Sequence, residues 1–133
     1  MNEPVLDSSA VLAVLLAEPG AERVMPALPG ALLSAVNLAE IIGKLAERGM
    51  PAEAARTAIA AIGVELVDFD AAQACLAGAL RPDTRAAGLS LGDRACLALA
   101  RLRGVAAVTA DAAWARLPDF DIVLIRGERS PPA

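Results

Sequence analysis

Four acidic residues, Asp7, Glu40, Asp93 and Asp111, stand at the ends of apolar runs or the starts of helical stretches. They lie 33, 53 and 18 residues apart, so only the fold could gather them. Two carboxylates about 4 Å apart repel by roughly 4 kcal/mol at an effective dielectric near 20, and clustering therefore calls for protons or cations. An all-oxygen set suits Mg²⁺ or Mn²⁺, while the absence of histidine argues against zinc. Mg²⁺ keeps several waters and is shared between one or two carboxylates and substrate phosphates, the arrangement that phosphodiester hydrolysis uses.

The elements that must position these acids alternate between short apolar runs and helical periodicity. That pattern predicts an α/β fold with a parallel sheet of about five strands flanked by helices. Strands are expected at Pro4–Asp7, Ala31–Ser34, Val64–Val67, Val105–Val108 and Asp121–Ile125. Helices are expected at about 9–17, 21–28, 37–48, 52–62, 71–79, 92–103 and 112–117, with an irregular stretch past Pro82. In the helix from Gly92, Cys96, Leu99, Ala100 and the stem of Arg103 share one face. The carboxyl ends of parallel strands and the helix starts that follow them share one edge, where ligands bind. All four acids map to that edge.

Each acid also has a plain structural reading. Asp7 could cap the helix beginning at Ser8 or Ser9, and Asp111 the short helix after it. Asn37 to Glu40 and Ser90 to Asp93 both fit an N-cap followed three residues later by an acid. Capping does not predict four such acids on one edge. Glu18, Glu22, Glu47, Glu53 and Asp83 read as solvated charges.

The 133 residues fit one domain, assigned to 1–126, with a loose tail over 127–133 that holds Pro131 and Pro132. Hydrophobic residues make up 56% of the chain, which excludes disorder. No apolar run reaches membrane-spanning length, and the first residues lack a basic, signal-like start, so a cytoplasmic protein is expected. Cys75 and Cys96 read as buried free thiols. The formal charge of −4 is unusual for a nucleic-acid binder. Setting aside the four candidate ligands leaves acids and bases balanced, and bound cations would add positive charge where phosphate must sit. Eleven of the twelve basic residues are arginine, the better fork for phosphate.

Four segments carry a resemblance: Val5-Leu6-Asp7-Ser8-Ser9-Ala10, Ser34-Ala35-Val36-Asn37-Leu38-Ala39-Glu40, Leu89-Ser90-Leu91-Gly92-Asp93-Arg94 and Val108-Thr109-Ala110-Asp111-Ala112-Ala113-Trp114. In order and spacing, over about residues 4 to 126, the chain resembles PIN-domain ribonucleases. It is most similar to the VapC toxins of bacterial and archaeal toxin–antitoxin pairs. The resemblance implies that Asp7, Glu40, Asp93 and Asp111 hold Mg²⁺ or Mn²⁺ and activate water, with Asp7 and Asp93 as direct ligands. Ser9 and Thr109 would orient Asp7 and Asp111 or a bound water, or else serve as local caps. Asn37 reads as a cap rather than a ligand. Arg94 is either a phosphate contact or a solvated helix residue, and Trp114 reads as packing rather than a base-stacking platform.

The resemblance also implies a homodimer, a cognate antitoxin that blocks the cleft, and an RNA substrate such as tRNA or rRNA. Two alternatives stay open. A binding module could keep the fold without cleaving. A phosphatase of the haloacid dehalogenase type would use Asp7 as nucleophile, but it needs a second aspartate where Ser9 stands. The apolar residues Val24, Leu28, Ile41, Ile42, Leu45 and Ile59 exceed what one side of a small sheet needs. Part of that surface is expected to form an antitoxin groove, with another apolar face making the homodimer.

Overall fold

The computed structural model describes residues 3–126, and the tail expected over 127–133 lies outside them. Five strands, β1 (Val5–Leu6), β2 (Leu32–Ser34), β3 (Glu65–Val67), β4 (Ala107–Thr109) and β5 (Ile122–Leu124), form one sheet in the order β3-β2-β1-β4-β5. Every pairing is parallel, with Val5 opposite both Leu32 and Ala107. This is the parallel α/β sheet that the alternating pattern predicts.

Successive strand residues point to opposite faces, and each face carries its own core. Leu6, Leu33 and Val108 pack with α1 (Ser8–Leu15), α3 (Ala35–Glu47) and α4 (Ala52–Ala61) through Val11, Ile41, Leu45 and Ile59. Val5, Leu32 and Ala107 pack on the other side against α7 (Leu91–Arg103), with Cys96, Leu97, Leu99 and the fully buried Trp114. The chain leaves β1 for the first layer and β4 for the second. The sheet order therefore reverses between two adjacent strands, and a crevice opens at their carboxyl ends.

Several local expectations are corrected. Helix α3 starts at Ala35, two residues before Asn37, because the Ser34 hydroxyl caps it by accepting the Val36 N–H. The expected helix at 21–28 divides into α2 (Ala21–Val24) and a 3-10 turn (Met25–Ala27), where Pro26 brings no amide to continue an α-helix. Between α5 (Ala71–Ala79) and α7 the irregular stretch contains a short helix, α6 (Arg81–Thr84). Helix α7 buries Ala95, Leu97 and Ala98 as well as the predicted stripe, because it runs between the sheet, α3 and α5; Arg103 at its end is exposed. It stops at Gly104, whose φ of 67° provides the left-handed cap. Cys75 is exposed, not buried, and both thiols are free.

The apolar surplus of residues 21–62 is not an open surface. Val24, Ile41, Leu45 and Ile59 are buried in the first-layer core, and Leu28 and Ile42 pack against it. Two helices, α3 and α4, cross over β2 and β3, so this side of the sheet needs more apolar volume than a single crossover helix would.

Candidate active site

The four predicted acids line one cleft of about 640 Å³ at the carboxyl edge of the sheet, together with Ser8, Ser9 and Ser90. Asp7 follows β1 directly and is 4% exposed. Two hydroxyls fix its carboxylate: Ser9 Oγ donates to Oδ2 at 2.7 Å and Thr109 Oγ1 donates to the same oxygen at 3.0 Å. Ser9 Oγ in turn accepts the Ala110 N–H, and Thr109 Oγ1 accepts the Asp111 N–H. The start of α1 and the end of β4 are thereby stitched together around Asp7, which lines the cleft. Burial pushes the Asp7 carboxyl from 3.8 up to about 6, and the Asp93 charge adds to the rise against the two hydroxyl bonds.

Glu40 lies one turn into α3. Its Oε1 accepts Ser8 Oγ in a short hydrogen bond and Asn37 Nδ2 at 2.9 Å. The same Asn37 amide reaches Gly92 O at 3.1 Å and Ser8 Oγ at 3.2 Å. Asn37 is thus no cap. It is a fully buried clasp between α1, α3 and the first turn of α7. A Cβ on Gly92 would collide with the Glu40 carboxylate where Ser8 and Asn37 hold it, so a larger residue would have to push that side chain aside.

Asp93 shows that capping and membership of the cleft are compatible. Its Oδ2 accepts the Ser90 N–H at 2.9 Å while its own N–H donates to Ser90 Oγ, a complete capping box. The same side chain lines the cleft. Burial raises its pKa, with the charges of Glu40 and Asp111 adding and the Ser90 bonds opposing. Asp111 is exposed at the rim and caps the 3-10 turn Ala112–Arg116 by accepting the Ala113 N–H on Oδ1.

Among the described residues, no three acidic or cysteine side chains stand close enough to hold one ion directly. Asp7, Asp93 and Asp111 therefore share an open cleft instead of closing a cage, since each has committed one oxygen to a neighbouring hydroxyl or amide. That spread set fits a small cation that keeps most of its water and takes one or two carboxylates directly, as Mg²⁺ does. The raised pKa of Asp7 fits as well, because a buried carboxylate without a counterion favours its proton.

Arg94 is not brought to the cleft. It is buried behind α7, where Nη1 donates to Ala77 O at 2.9 Å in the last turn of α5. It is neither a phosphate contact nor a solvated residue; the negative end of α5 holds it.

A family model for the PIN domain matches residues 5–119. The chain belongs to the PIN domain family. No curated protein matches it, but solved structures share its fold. A toxin–antitoxin complex from Klebsiella pneumoniae is similar over 92% of this chain and 98% of that one, at 19% identity and a TM-score of 0.73. A DNA-bound VapBC from Salmonella typhimurium is similar over 95% and 100%, at 22% identity and a TM-score of 0.73. VapBC2 from Rickettsia felis, bound to a promoter DNA fragment, gives 18% identity and a TM-score of 0.69 over 92% and 98%. At these identities the likeness is one of fold. In this PIN domain Ser8 and Gly92 join the site without a signal in residue type or spacing, and Asn37, expected as a cap, joins it as well. A signal existed for Asn37, which lies three residues before Glu40 and so on the same helical face.

Proposed function

We propose that this PIN domain is a metal-dependent endoribonuclease of the VapC type, the toxin of a toxin–antitoxin pair. The observation that carries this reading is the buried Asp7 carboxylate, held by Ser9 and Thr109 in a cleft that three further acids line. Asp7 and Asp93 would hold Mg²⁺ or Mn²⁺ directly, and Asp111 and Glu40 would hold it through water. Such an ion supplies Lewis-acid activation of water and neutralises charge at the phosphate. The chain's own part is positioning. Ser9 and Thr109 fix the tilt of Asp7, Ser90 fixes Asp93, and Ser8 with Asn37 fixes Glu40. Glu40 and Asp111 are placed to accept the proton of an attacking water.

RNA is the proposed substrate, tRNA or rRNA among the candidates. The toxin–antitoxin complexes of like fold support a cognate antitoxin as partner; the homodimer rests on the resemblance to VapC toxins alone. An antitoxin arginine or lysine would find the acids a ready counter-charge. The apolar groove expected on residues 21–62 gives no support to that partner, since those side chains serve the core. The test is labelled RNA incubated with Mg²⁺, with and without EDTA, beside a generic phosphatase substrate. Cleavage that needs Mg²⁺ and spares the phosphatase substrate supports the reading. RNA left intact under all conditions sinks it.

A further inference from the structure

The cleft does not end at the acids. It continues between α1 and α3, where Leu12 and Leu16 form one wall and Lys44 and Arg48 stand on the other. Glu40 and Lys44 follow one another at four-residue spacing along α3 and so share a face, with Arg48 four residues on as the helix's C-cap; the two cations stand about 6 and 12 Å from the acid by helical rise. Lys44 is the chain's only lysine. Both cations are exposed, and neither forms an ion pair among the described residues, although the same cleft holds six carboxylates. Of the two acids at their end, Glu18 is engaged by Arg126 at 3.5 Å, which leaves Glu47 against two positive charges.

A row of acid, lysine and arginine beside an apolar wall is the complement of a nucleotide strand. The acids take the reacting phosphate through a cation, the leucines face a base or ribose, and the cations meet the next phosphates. We infer that Lys44 and Arg48 bind the backbone phosphates adjoining the scissile one and so set the register of a single-stranded RNA segment along α3. This rests on the nuclease reading and deepens it. These residues position substrate and take no part in the bond-breaking step. Phosphate contacts carry no sequence information, so they raise affinity for every RNA alike.

The experiment is RNA binding by the full chain in EDTA, measured by fluorescence anisotropy of a labelled single-stranded oligonucleotide across a KCl series. Each contact to a single strand contributes about 0.7 to the slope of log affinity against log salt. K44Q and R48Q should each lower the slope by about 0.7, and the pair by about 1.4, for oligonucleotides of unrelated sequence. K44R should keep the wild-type slope. R103Q, at the opposite end of α7, should change nothing, and all variants should melt as the wild type does. Wild-type slopes in K44Q and R48Q, or no RNA binding by the wild type, would overturn the inference. The Mg²⁺ cleavage assay is read separately: slopes that fall in a protein that never cleaves leave the phosphate contacts standing and remove the nuclease reading.

Discussion

Asp7 concentrates the site's electrostatic cost in one side chain. Its pKa rises from 3.8 to about 6, which corresponds to roughly 3 kcal/mol of disfavoured charge at neutral pH. The sign follows from linkage. Below about pH 4 the carboxyl is protonated in both folded and unfolded chains, and no cost arises; as pH climbs through 6 the metal-free protein loses that stability. Asp7→Asn removes the charge and keeps an acceptor for Ser9 and Thr109. In EDTA it should be more stable than wild type by roughly 1–3 kcal/mol at pH 7 and indistinguishable at pH 4. Paired thermal melts at the two pH values decide this, and equal stability at pH 7 would mean that Asp7 carries no such burden. RNA cleavage should vanish in the same variant. Thr109→Val tests the hydroxyl pair more finely. Loss of a hydrogen bond that lowers the Asp7 pKa should move the acid limb of the pH–rate profile to higher pH, and Thr109→Ser should move it back.

The elements meet at one tight point, where α3 crosses the first turn of α7 with the Glu40 carboxylate lying over Gly92. Gly92→Ala should therefore displace the Glu40 carboxylate from Ser8 and Asn37 and cost about 1 kcal/mol, that of a lost hydrogen bond. Gly92→Ala combined with Glu40→Ala should cost less than the two changes added, because the second vacates the space the first invades. Additive losses in denaturant titrations would show that α7 yields instead. This junction marks the boundary of what was legible in the chain. Strand and helix order could be read because apolar alternation and helical periodicity are local, and the four acids could be placed because parallel topology sends strand ends to one edge. The clasp of Ser8, Asn37 and Gly92 could not, because residues 29 and 55 positions from Asn37 become its neighbours only after packing. Arg94 misled for a related reason. Nothing local indicates that the end of α5 will accept its guanidinium. The apolar residues of α3 and α4 looked surplus only while two helices were counted against one crossover.

At the scale of the whole molecule, the acids at the carboxyl edge are a stability liability that the proposed cation would reverse. A ligand that binds only the folded chain stabilises it by about 2.7 kcal/mol at a hundred times its Kd. Mg²⁺ or Mn²⁺ should thus raise the melting temperature by several degrees at pH 7.5. The gain should shrink at pH 5, where a proton on Asp7 competes with the ion. Asp7→Asn should abolish most of it. Ca²⁺ separates binding from chemistry. It is also an oxygen-seeking cation and can relieve the same repulsion, but its larger radius and looser shell place water and phosphate poorly. The expected pattern is thermal stabilisation by all three ions and RNA cleavage with Mg²⁺ and Mn²⁺ alone. Equal cleavage rates in Ca²⁺ would reduce the ion to a charge neutraliser and leave water activation to Glu40 or Asp111. A melting temperature unmoved by any divalent cation, at a pH where Asp7 is ionised, would remove the metal from the site altogether.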